Sequence, residues 1–226
     1  LLADLRPSGN FLMAELIEFG GIVPLMKVML DEGLIDGDQM TVTGETIAQN
    51  LESYDYYPKD QDIVKETKTP IKADSHLRVL YGNLAPQGCV MKVSAMDNKF
   101  LKHTGPALVF DDYPSMTKAI YDENIDATED TVLILRNAGP KGGPGMPEWG
   151  MLPVPTKLVK QGVRDMLRMS DARMSGTSYG ACVLHIAPES YIGGGLALVQ
   201  TGDMVTVDVE KRLIQMEVDD DELKKR

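Results

Sequence analysis

The hydrophobic pattern of the chain changes near residue 75, and this change limits the possible folds more than any other feature. Before it, apolar residues from Phe11 to Glu32 recur at helical spacing, with interruptions at Gly20-Gly21 and Pro24. We therefore predict two short helices in this stretch rather than one long helix. Ser8 is the predicted cap of the first helix, and Gly33 is predicted to end the second.

A third helix and an irregular connection complete the first part of the chain. The stretch Thr43-Gly44-Glu45-Thr46 resembles a capping box and predicts a helix that reaches about Leu51. Residues 52 to 74 combine tyrosines, prolines and many charges without a clean period, as in an irregular connection. We predict a domain boundary here, with a helical segment over residues 1–74 and a second domain over residues 75–226.

The second part of the chain has short strand-like runs separated by turns. The runs are His76–Tyr81, Gly88–Ser94, Ala107–Phe110, Thr131–Leu135, Ala181–Ile186, Leu196–Val199, Met204–Val209 and Leu213–Val218. Eight such runs favour a barrel or sandwich-like β domain. Helices predicted at Ser115 to Asn124 and Thr156 to Met166 interrupt it, and the alternation after the turn Gly202-Asp203 predicts a final hairpin. The predicted fold class is α+β.

Composition narrows the class of protein and its partners. The chain has 226 residues, 43% of them apolar, which suffices for a packed core. A formal charge of −11 disfavours nucleic acid and anionic lipid as partners. Cys89 and Cys182 lack disulfide or zinc-site spacing, and with no apolar run of about 20 residues we expect a cytoplasmic protein rather than a membrane protein. The chain starts at Leu1 rather than Met, so we expect part of a longer protein.

A Gly/Pro-rich stretch follows the apolar run that ends at Leu135. It extends from Asn137 to Glu148 and contains too many glycines and prolines for a helix or strand. Such a backbone can approach a ligand closely, and the carboxylate of Glu148 suits a hard cation such as Mg²⁺, but a long surface loop is the more common explanation of this composition. Lys141 precedes the glycines and no Gly-Lys-Ser/Thr follows, so the stretch is not a P-loop.

A second polar stretch, Met169 to Gly180, combines hydroxyl groups, a charge pair and glycines before an apolar run. Backbone N–H groups in such a segment can stabilise an anion, including an ionised Ser175, whereas an ordinary polar turn is the structural alternative. No Gly-x-Ser-x-Gly hydrolase elbow is present. Ile192 to Gly195 is interpreted as a turn against which the other loops pack, and His185, within an apolar run, as a core residue.

Several strings along the chain resemble the dihydroxy-acid and phosphogluconate dehydratase family, in the order in which that family has them. They are Leu5-Arg6-Pro7-Ser8-Gly9, Gly20-Gly21-Ile22, Leu30-Asp31-Glu32-Gly33, Thr41-Val42-Thr43-Gly44, Gly139-Pro140-Lys141-Gly142-Gly143-Pro144-Gly145-Met146, Asp171-Ala172-Arg173-Met174-Ser175-Gly176 and Gly193-Gly194. Because several are long and unusual in composition, chance matching is improbable. The resemblance covers nearly the whole chain.

Two departures indicate a branch of this family. Branched-chain dihydroxy-acid dehydratases usually follow Gly-Met with Arg-Glu and carry Gly-Arg-Phe-Ser-Gly-Gly. This chain has Met146-Pro147-Glu148-Trp149 and Ala172-Arg173-Met174-Ser175-Gly176-Thr177 instead. The pattern is similar to the pentonate and related sugar-acid dehydratases, with the branched-chain enzymes as the alternative.

The resemblance implies a reaction and a set of site residues. Such enzymes remove water from a 2,3-dihydroxy acid to give a 2-keto-3-deoxy acid, with an iron–sulfur cluster acting on the leaving hydroxyl and Mg²⁺ binding the carboxylate. By the resemblance, Ser175 is the catalytic base and Glu148 is a magnesium ligand. Thr177, Gly176 and Pro147 match substrate-binding positions. A serine base requires strong stabilisation of its alkoxide.

The resemblance also implies the architecture and the partners. The C-terminal part is expected to be a β-barrel-like swivelling domain related to that of aconitase, and residues 1–74 the end of a helical cluster-binding domain plus a linker. The cluster, [2Fe-2S] rather than [4Fe-4S], has its ligands in an N-terminal half that this chain lacks, and Cys89 and Cys182 do not match them. The expected partners are therefore that missing half, a small sugar acid and, in the full-length enzyme, further copies in a dimer or tetramer.

Two hypotheses about function follow. In the first, the chain is the C-terminal part of an active dehydratase and is inactive alone. In the second, it is a non-catalytic swivelling or binding module that folds by itself and binds a sugar acid or a partner chain through its glycine-rich loops.

Overall fold

The computed structural model describes residues 1–7, 9–143, 145, 148, 152–173, 175 and 179–226. The chain forms two compact units, Leu1–Ser75 and His76–Arg226. None of the helices in these described ranges combines the length and the apolar character that a bilayer span requires.

The first unit contains three short helices in its described part. They are α1 (Met13–Glu18), α2 (Val23–Asp31) and α3 (Ile47–Leu51). The two helices predicted between residues 11 and 32 are confirmed, because the consecutive glycines allow the chain to turn and Pro24 lies in the first turn of α2. Leu16, Ile63 and Val64 form the buried centre of this unit.

The caps of these helices differ from the prediction. Ser8 lies outside the described residues, and the residue that precedes α1 is Leu12, whose backbone N–H donates to the Glu15 carboxylate at 2.6 Å. Helix α3 is capped by Thr46 rather than by the stretch beginning at Thr43, and Thr46 Oγ1 accepts from Gln49 N at 3.2 Å. Thr46 and Gln49 have the three-residue spacing of a true capping box, so the prediction placed the box three residues too early.

The second unit is a closed barrel of eight strands over the residues described. In chain order they are β1 (Leu77–Gly82), β2 (Ala85–Lys92), β3 (Lys102–Phe110), β4 (Val132–Leu135), β5 (Arg168–Ser170), β6 (Cys182–Ala187), β7 (Met204–Asp208) and β8 (Leu213–Met216). Around the barrel their order is β1-β2-β6-β5-β4-β3-β7-β8. The α+β class and the barrel are therefore confirmed.

One predicted strand is absent from the structure, and one strand of the barrel was not predicted. Leu196–Val199 is not a strand, because residues Gly195–Leu198 form a 3₁₀ helix. The strand β5 was not predicted, because it has only three residues and contains the polar Arg168 and Ser170. A buried apolar run is compatible with either type of structure, and a short strand with buried polar groups has no period-2 pattern.

Three helices accompany the barrel within the described ranges: α4 (Tyr113–Ile120), α5 (Thr156–Lys160) and α6 (Asp220–Leu223). Helix α4 begins at Tyr113 rather than at Ser115, because Asp112 caps it and accepts from Ser115 N at 2.7 Å, and it ends at Ile120 rather than at Asn124. Helix α5 ends at Lys160 rather than at Met166, since Gly162 has a positive φ of 93° and turns the chain away from the helix.

The barrel combines an antiparallel part with a parallel part. Strands β3, β4, β5 and β6 are parallel neighbours, whereas β1 pairs antiparallel with β2 and β7 pairs antiparallel with β8. Val205 and Val207, predicted to alternate in the final hairpin, are fully buried in the barrel core. Because parallel strands end at one edge, the segments that follow β3, β4, β5 and β6 all leave the barrel on the same side.

Candidate functional site

The two polar stretches singled out in the sequence leave the same edge of the barrel. The Gly/Pro-rich loop follows β4, and the serine-bearing loop follows the neighbouring parallel strand β5. We call them the glycine loop (136–155) and the serine loop (171–181). The turn at Pro188–Ser190 follows β6 at the same edge. Carboxyl ends of parallel strands are common positions for ligand sites.

The starts of both loops are held together by the buried carboxylate of Asp171, which is only 2% exposed. Its Oδ1 accepts from Ala138 N in the glycine loop at 2.9 Å. Its Oδ2 accepts from Ser190 N at 2.8 Å and from Ser190 Oγ at 2.5 Å. Ser190 Oγ also accepts from Asn137 N at 2.7 Å. Hydrogen bonds to a charged acceptor are stronger than neutral ones, so this group of bonds fixes the bases of both loops and the turn after β6.

A second buried carboxylate, that of Glu189, holds the first half of the glycine loop. It accepts from Lys141 N at 2.9 and 3.0 Å and from Gly142 N at 3.2 Å. A Cβ at Gly139 would lie 2.3 Å from Glu189 Oε2, so only glycine permits this approach. These successive backbone N–H groups form an anion-binding turn whose occupant is a carboxylate of the protein itself.

The far ends of both loops are held by a buried ion pair. Arg168 and Asp165 are 4% and 7% exposed, and Arg168 Nη2 lies 2.8 Å from Asp165 Oδ1. Arg168 Nη1 donates to the carbonyl of Leu152 at the end of the glycine loop at 2.7 Å, and Nη2 donates to the carbonyl of Tyr179 in the serine loop at 3.2 Å. Asp165 accepts from Ala181 N at 2.9 and 3.0 Å. One pair therefore binds the closing ends of both loops.

Of the residues predicted at the site, Ser175 and Glu148 are described. Ser175 lies four residues after Asp171 and four before Tyr179, so it occupies the middle of a loop that is anchored at both ends. The carboxylate of Glu148 in the glycine loop forms an ion pair with Arg173 in the serine loop, with Arg173 Nη2 and Glu148 Oε2 2.8 Å apart. Both side chains are 42% exposed. The predicted substrate-binding residues Thr177, Gly176 and Pro147 lie outside the described residues.

His185 does not have the position predicted for it. It lies in β6 but has a positive φ of 55° and an exposed side chain, so it is not a core residue. Its backbone N–H donates to the carbonyl of Ala172 at 3.0 Å, which places it beside the serine loop. The pKa of His185 lies below its ordinary value because neighbouring atoms displace solvent, and the positive charge of Arg173 adds to this effect.

The cysteines of this chain do not fit an iron–sulfur cluster. Cys89 and Cys182 lie in the strands β2 and β6 and are both buried as free thiols. Burial raises the pKa of Cys89 to about 12, and burial also raises the pKa of Cys182. Cluster ligands are thiolates, and these environments oppose ionisation.

For a metal ion, Glu148 supplies one accessible carboxylate. Among the residues described, no group of three or more His, Cys, Asp or Glu side chains is arranged to hold a metal. A single carboxylate is typical of a Mg²⁺ site that is completed by other ligands, and it does not form such a site alone. The described part of the chain therefore fits one ligand of a shared site and not a complete site.

Four residues that organise the site were missed by the sequence analysis: Asp165, Arg168, Asp171 and Glu189. Asp171 entered the sequence analysis only as a part of a motif. The sequence signal that could have identified them is a charged residue beside an apolar run. A charge in or next to a buried strand requires a partner, and so indicates a buried ion pair or hydrogen-bond network. Asp165 and Arg168 are three residues apart, a spacing that also fits one exposed helix face, so the sequence did not distinguish these two arrangements.

The comparisons with known proteins identify the family of this chain. Residues 62–226 match the family model described as dihydroxy-acid/6-phosphogluconate dehydratase C-terminal, and residues 1–50 match the corresponding N-terminal model. The chain is 47% identical to a 6-deoxy-6-sulfo-D-gluconate dehydratase of Pseudomonas putida and 44% identical to a dihydroxy-acid dehydratase of Chromohalobacter salexigens. It is 42% identical to an L-arabonate dehydratase of Azospirillum brasilense.

These matches cover the whole of this chain and a smaller share of each relative. The alignments span 100% of the chain but 39%, 39% and 38% of the three relatives in the order given. The chain thus spans about two fifths of the length of the curated relatives it matches. The family match over residues 62–226 includes the whole barrel and both site loops. The chain belongs to the dihydroxy-acid/6-phosphogluconate dehydratase family.

Proposed function

We propose that this chain is the C-terminal part of a dehydratase that converts a 2,3-dihydroxy acid to a 2-keto-3-deoxy acid, and that it supplies the catalytic base. The observation that carries the proposal is the position of Ser175 in the middle of a loop anchored at both ends. This loop is ion-paired, through Arg173 and Glu148, to the glycine loop of the neighbouring strand. The family membership and the relatives' names support the reaction class.

In the proposed reaction, the Ser175 alkoxide takes the proton from C2 of the substrate. The C2–H electron pair forms the C2–C3 double bond, and the C3 hydroxyl leaves and becomes water after protonation. The resulting enol tautomerises to the 2-keto acid, so the sum of the steps is the loss of one water. Because a serine hydroxyl is a very weak acid, the loop must stabilise the alkoxide through N–H groups and positive charge. Arg173 provides one such charge in the same loop.

The cofactors of the proposed enzyme are an iron–sulfur cluster, of the [2Fe-2S] rather than the [4Fe-4S] type, and Mg²⁺. When bound, they supply electrophilic assistance to the leaving hydroxyl and to the substrate carboxylate. In this proposal Glu148 contributes one oxygen ligand to Mg²⁺, and the cluster ligands come from an N-terminal part beyond this chain. To bind the metal, Glu148 must give up its ion pair with Arg173. This step costs little free energy because both groups are accessible to water.

For the substrate, we propose a sugar acid such as a pentonate. The strings Met146-Pro147-Glu148-Trp149 and Met174-Ser175-Gly176-Thr177 differ from those usual in the branched-chain enzymes. Sugar-acid and branched-chain dehydratases both occur among the relatives with 42–47% identity, so the branch rests on these strings. Thr177, Gly176 and Pro147 are the proposed substrate contacts.

The remaining proposals concern domains, partners and compartment. We propose that residues 1–74 are the end of the cluster-binding domain plus a linker, and that residues 75–226 are the swivelling domain. The proposed assembly is a homo-dimer or tetramer of the full-length enzyme. A reducing cytoplasm suits the two buried free thiols.

The test is a dehydration assay with a panel of pentonates, hexonates and 2,3-dihydroxy-isovalerate. It uses the chain together with the N-terminal part of the protein, with reconstituted cluster and Mg²⁺. We expect 2-keto acid formation fastest with a pentonate or hexonate, and none with the 226-residue chain alone. Turnover of 2,3-dihydroxy-isovalerate alone would move the enzyme to the branched-chain branch. No turnover of any substrate, together with sugar-acid binding in calorimetry, would support the non-catalytic binding module instead.

A further inference from the structure

The Arg168–Asp165 pair lies at the amino ends of β5 and β6, where it contacts the closing ends of both site loops. Arg168 uses three of its nitrogens: Nε donates to Met166 O at 3.0 Å, Nη1 to Leu152 O and Nη2 to Tyr179 O. Glu148 lies four residues before Leu152, and Ser175 lies four residues before Tyr179. The same guanidinium therefore fixes one end of the segment that carries each predicted site residue.

The geometry of these bonds requires arginine. The planar guanidinium has five N–H donors in fixed directions, so it can reach a carboxylate and several carbonyls on different segments at once. A lysine ammonium concentrates its three donors at one point and cannot bridge Leu152 O and Tyr179 O in the same way. Asp165 completes the arrangement because its carboxylate accepts hydrogen bonds from Met166 N at 2.9 Å and from Ala181 N.

The surroundings of Gly180 show independently that the serine loop packs closely against the Arg168–Asp165 pair. A Cβ at this residue would lie 1.9 Å from Arg168 Nη2 and 2.4 Å from Asp165 Oδ1, closer than real contacts permit. Gly180 also has a positive φ of 87°. The serine loop can therefore close on the pair only with glycine here, and any side chain would displace the guanidinium or the loop.

We propose that Arg168 is a positioning residue for the dehydration reaction, acting through the serine and glycine loops and without touching substrate. This inference rests on the proposed function of Ser175. Proton abstraction requires the base within about 3–3.5 Å of the reacting atom, and a displacement of about 1 Å can reduce a rate about 100-fold. A displacement of the guanidinium shifts Leu152 and Tyr179 together, and with them the segments that carry Glu148 and Ser175. Loss of the pair therefore slows proton transfer more than it weakens substrate binding.

The experiment compares Arg168→Lys and Gly180→Ala with wild type in the cluster-loaded holoenzyme, with Gly202→Ala as the control. Gly202 has a positive φ of 99° and open space around its Cβ position, so its substitution adds backbone strain without a clash. Steady-state rates are measured with a C2-protonated and a C2-deuterated sugar acid. Measurements are made at a temperature where circular dichroism shows native protein, and rates are expressed per cluster.

We expect kcat to fall about 10- to 100-fold in Arg168→Lys and Gly180→Ala, with KM changed less than about threefold. The deuterium isotope effect on kcat should rise in both, because proton removal becomes more rate-limiting. Gly202→Ala should keep the wild-type kcat and isotope effect. A merely structural role would lower the thermal midpoint and the yield of folded enzyme without changing kcat per cluster or the isotope effect.

The possible outcomes separate the two proposals. An inactive wild type would refute the proposed function itself. An active wild type with unchanged kcat and isotope effect in folded Arg168→Lys would overturn only the positioning role. If Arg168→Lys does not fold, Asp165→Asn, which keeps the shape and one oxygen acceptor, replaces it with the same expected pattern. If neither variant folds, the role of the pair is structural and the positioning proposal is wrong.

Discussion

Two arginine–carboxylate pairs that contact the site loops have the same length and opposite surroundings. In each pair the closest nitrogen and oxygen are 2.8 Å apart. The side chains of Arg168 and Asp165 are 5% and 8% exposed, whereas those of Arg173 and Glu148 are both 42% exposed. The buried pair binds backbone groups of three chain segments, at Leu152, Met166 and 179–181, and the exposed pair joins two loop side chains. The two pairs therefore differ in burial and not in distance. The buried pair can hold the loops in place, whereas the exposed side chains are accessible to a ligand.

The energetic consequence follows from desolvation. Removing one partner of a buried pair leaves an uncompensated charge in the interior, at a cost of about 3–5 kcal/mol. An exposed pair is worth about 0–1 kcal/mol, because water solvates each partner when the pair opens. Glu148 can thus leave Arg173 for a cation or a substrate, while Arg168 stays in place.

The largest effect is expected for Arg168→Met in the 226-residue chain. This variant keeps much of the side-chain volume but leaves Asp165 buried without its cation, so the free energy of unfolding should fall by about 3–5 kcal/mol. Urea denaturation followed by circular dichroism measures it. A loss below about 1 kcal/mol would mean that the buried pair behaves as a surface pair, and the comparison would fail.

Gly180→Ala should have the next largest effect. The added Cβ would overlap Arg168 Nη2, and overpacking of this kind costs about 1–3 kcal/mol beyond the strain of a positive φ. Gly202→Ala is the matched control, because it carries the φ strain alone. The same urea titration should therefore give a larger loss for Gly180→Ala than for Gly202→Ala. Equal losses would show that the pair tolerates displacement.

Alkaline pH tests a second buried group of the barrel. The pKa of Cys89 is raised by burial to about 12, so the unfolded state, whose thiol has an ordinary pKa, loses its proton first as the pH rises. The stability contributed by the buried neutral thiol is complete below about pH 9 and is lost between about pH 9 and 12.

Between pH 8 and pH 10 we therefore expect this thiol to account for a loss of about 1 kcal/mol. The measurement is the difference in unfolding free energy between the two pH values, in wild type and in Cys89→Ala. The variant should show a smaller loss than wild type by that amount. An identical pH dependence in both proteins would contradict the burial of this thiol.

The smallest effect on stability is expected for Arg173→Met and Glu148→Gln. Each breaks the exposed pair, whose side chains are both 42% exposed, so the free energy of unfolding should change by less than about 1 kcal/mol. Urea denaturation of both variants, measured under the same conditions as Arg168→Met, checks this prediction. A loss of several kcal/mol in either variant would show that the exposed pair is structural, and Glu148 would then be a poor candidate for a metal ligand.

Much of the fold could be predicted from the sequence, since the strands of the barrel have apolar runs of the right length. Seven of the predicted runs overlap strands of the barrel. The exceptions have physical reasons: Leu196 is fully buried, and full burial removes the alternation that distinguishes a strand from a helical turn. The strand β5 was missed because Arg168 is tolerated in it only through contacts with Asp165 and with two distant carbonyls.

The site was predicted less completely than the fold. The two loops were identified because their glycines, prolines and hydroxyls are unusual in composition, and the structure brings Glu148 and Arg173 into contact. The buried acids that hold the loops were not identified, because their partners are backbone N–H groups of segments far away in sequence. Asp171, for example, binds groups that lie 33 and 19 residues away. The prediction of His185 as a core residue failed because its positive φ turns the side chain outward.

The central claim, that the anchored serine loop carries the base of a dehydratase, is tested most directly by Ser175→Ala. The measurement is the rate of 2-keto acid formation by the cluster-loaded holoenzyme, with Thr206→Val as a control that removes a hydroxyl from β7 at nearly constant shape. We predict loss of at least about 100-fold in kcat for Ser175→Ala, with the cluster absorbance intact and the control fully active. Retained turnover in Ser175→Ala would contradict the account.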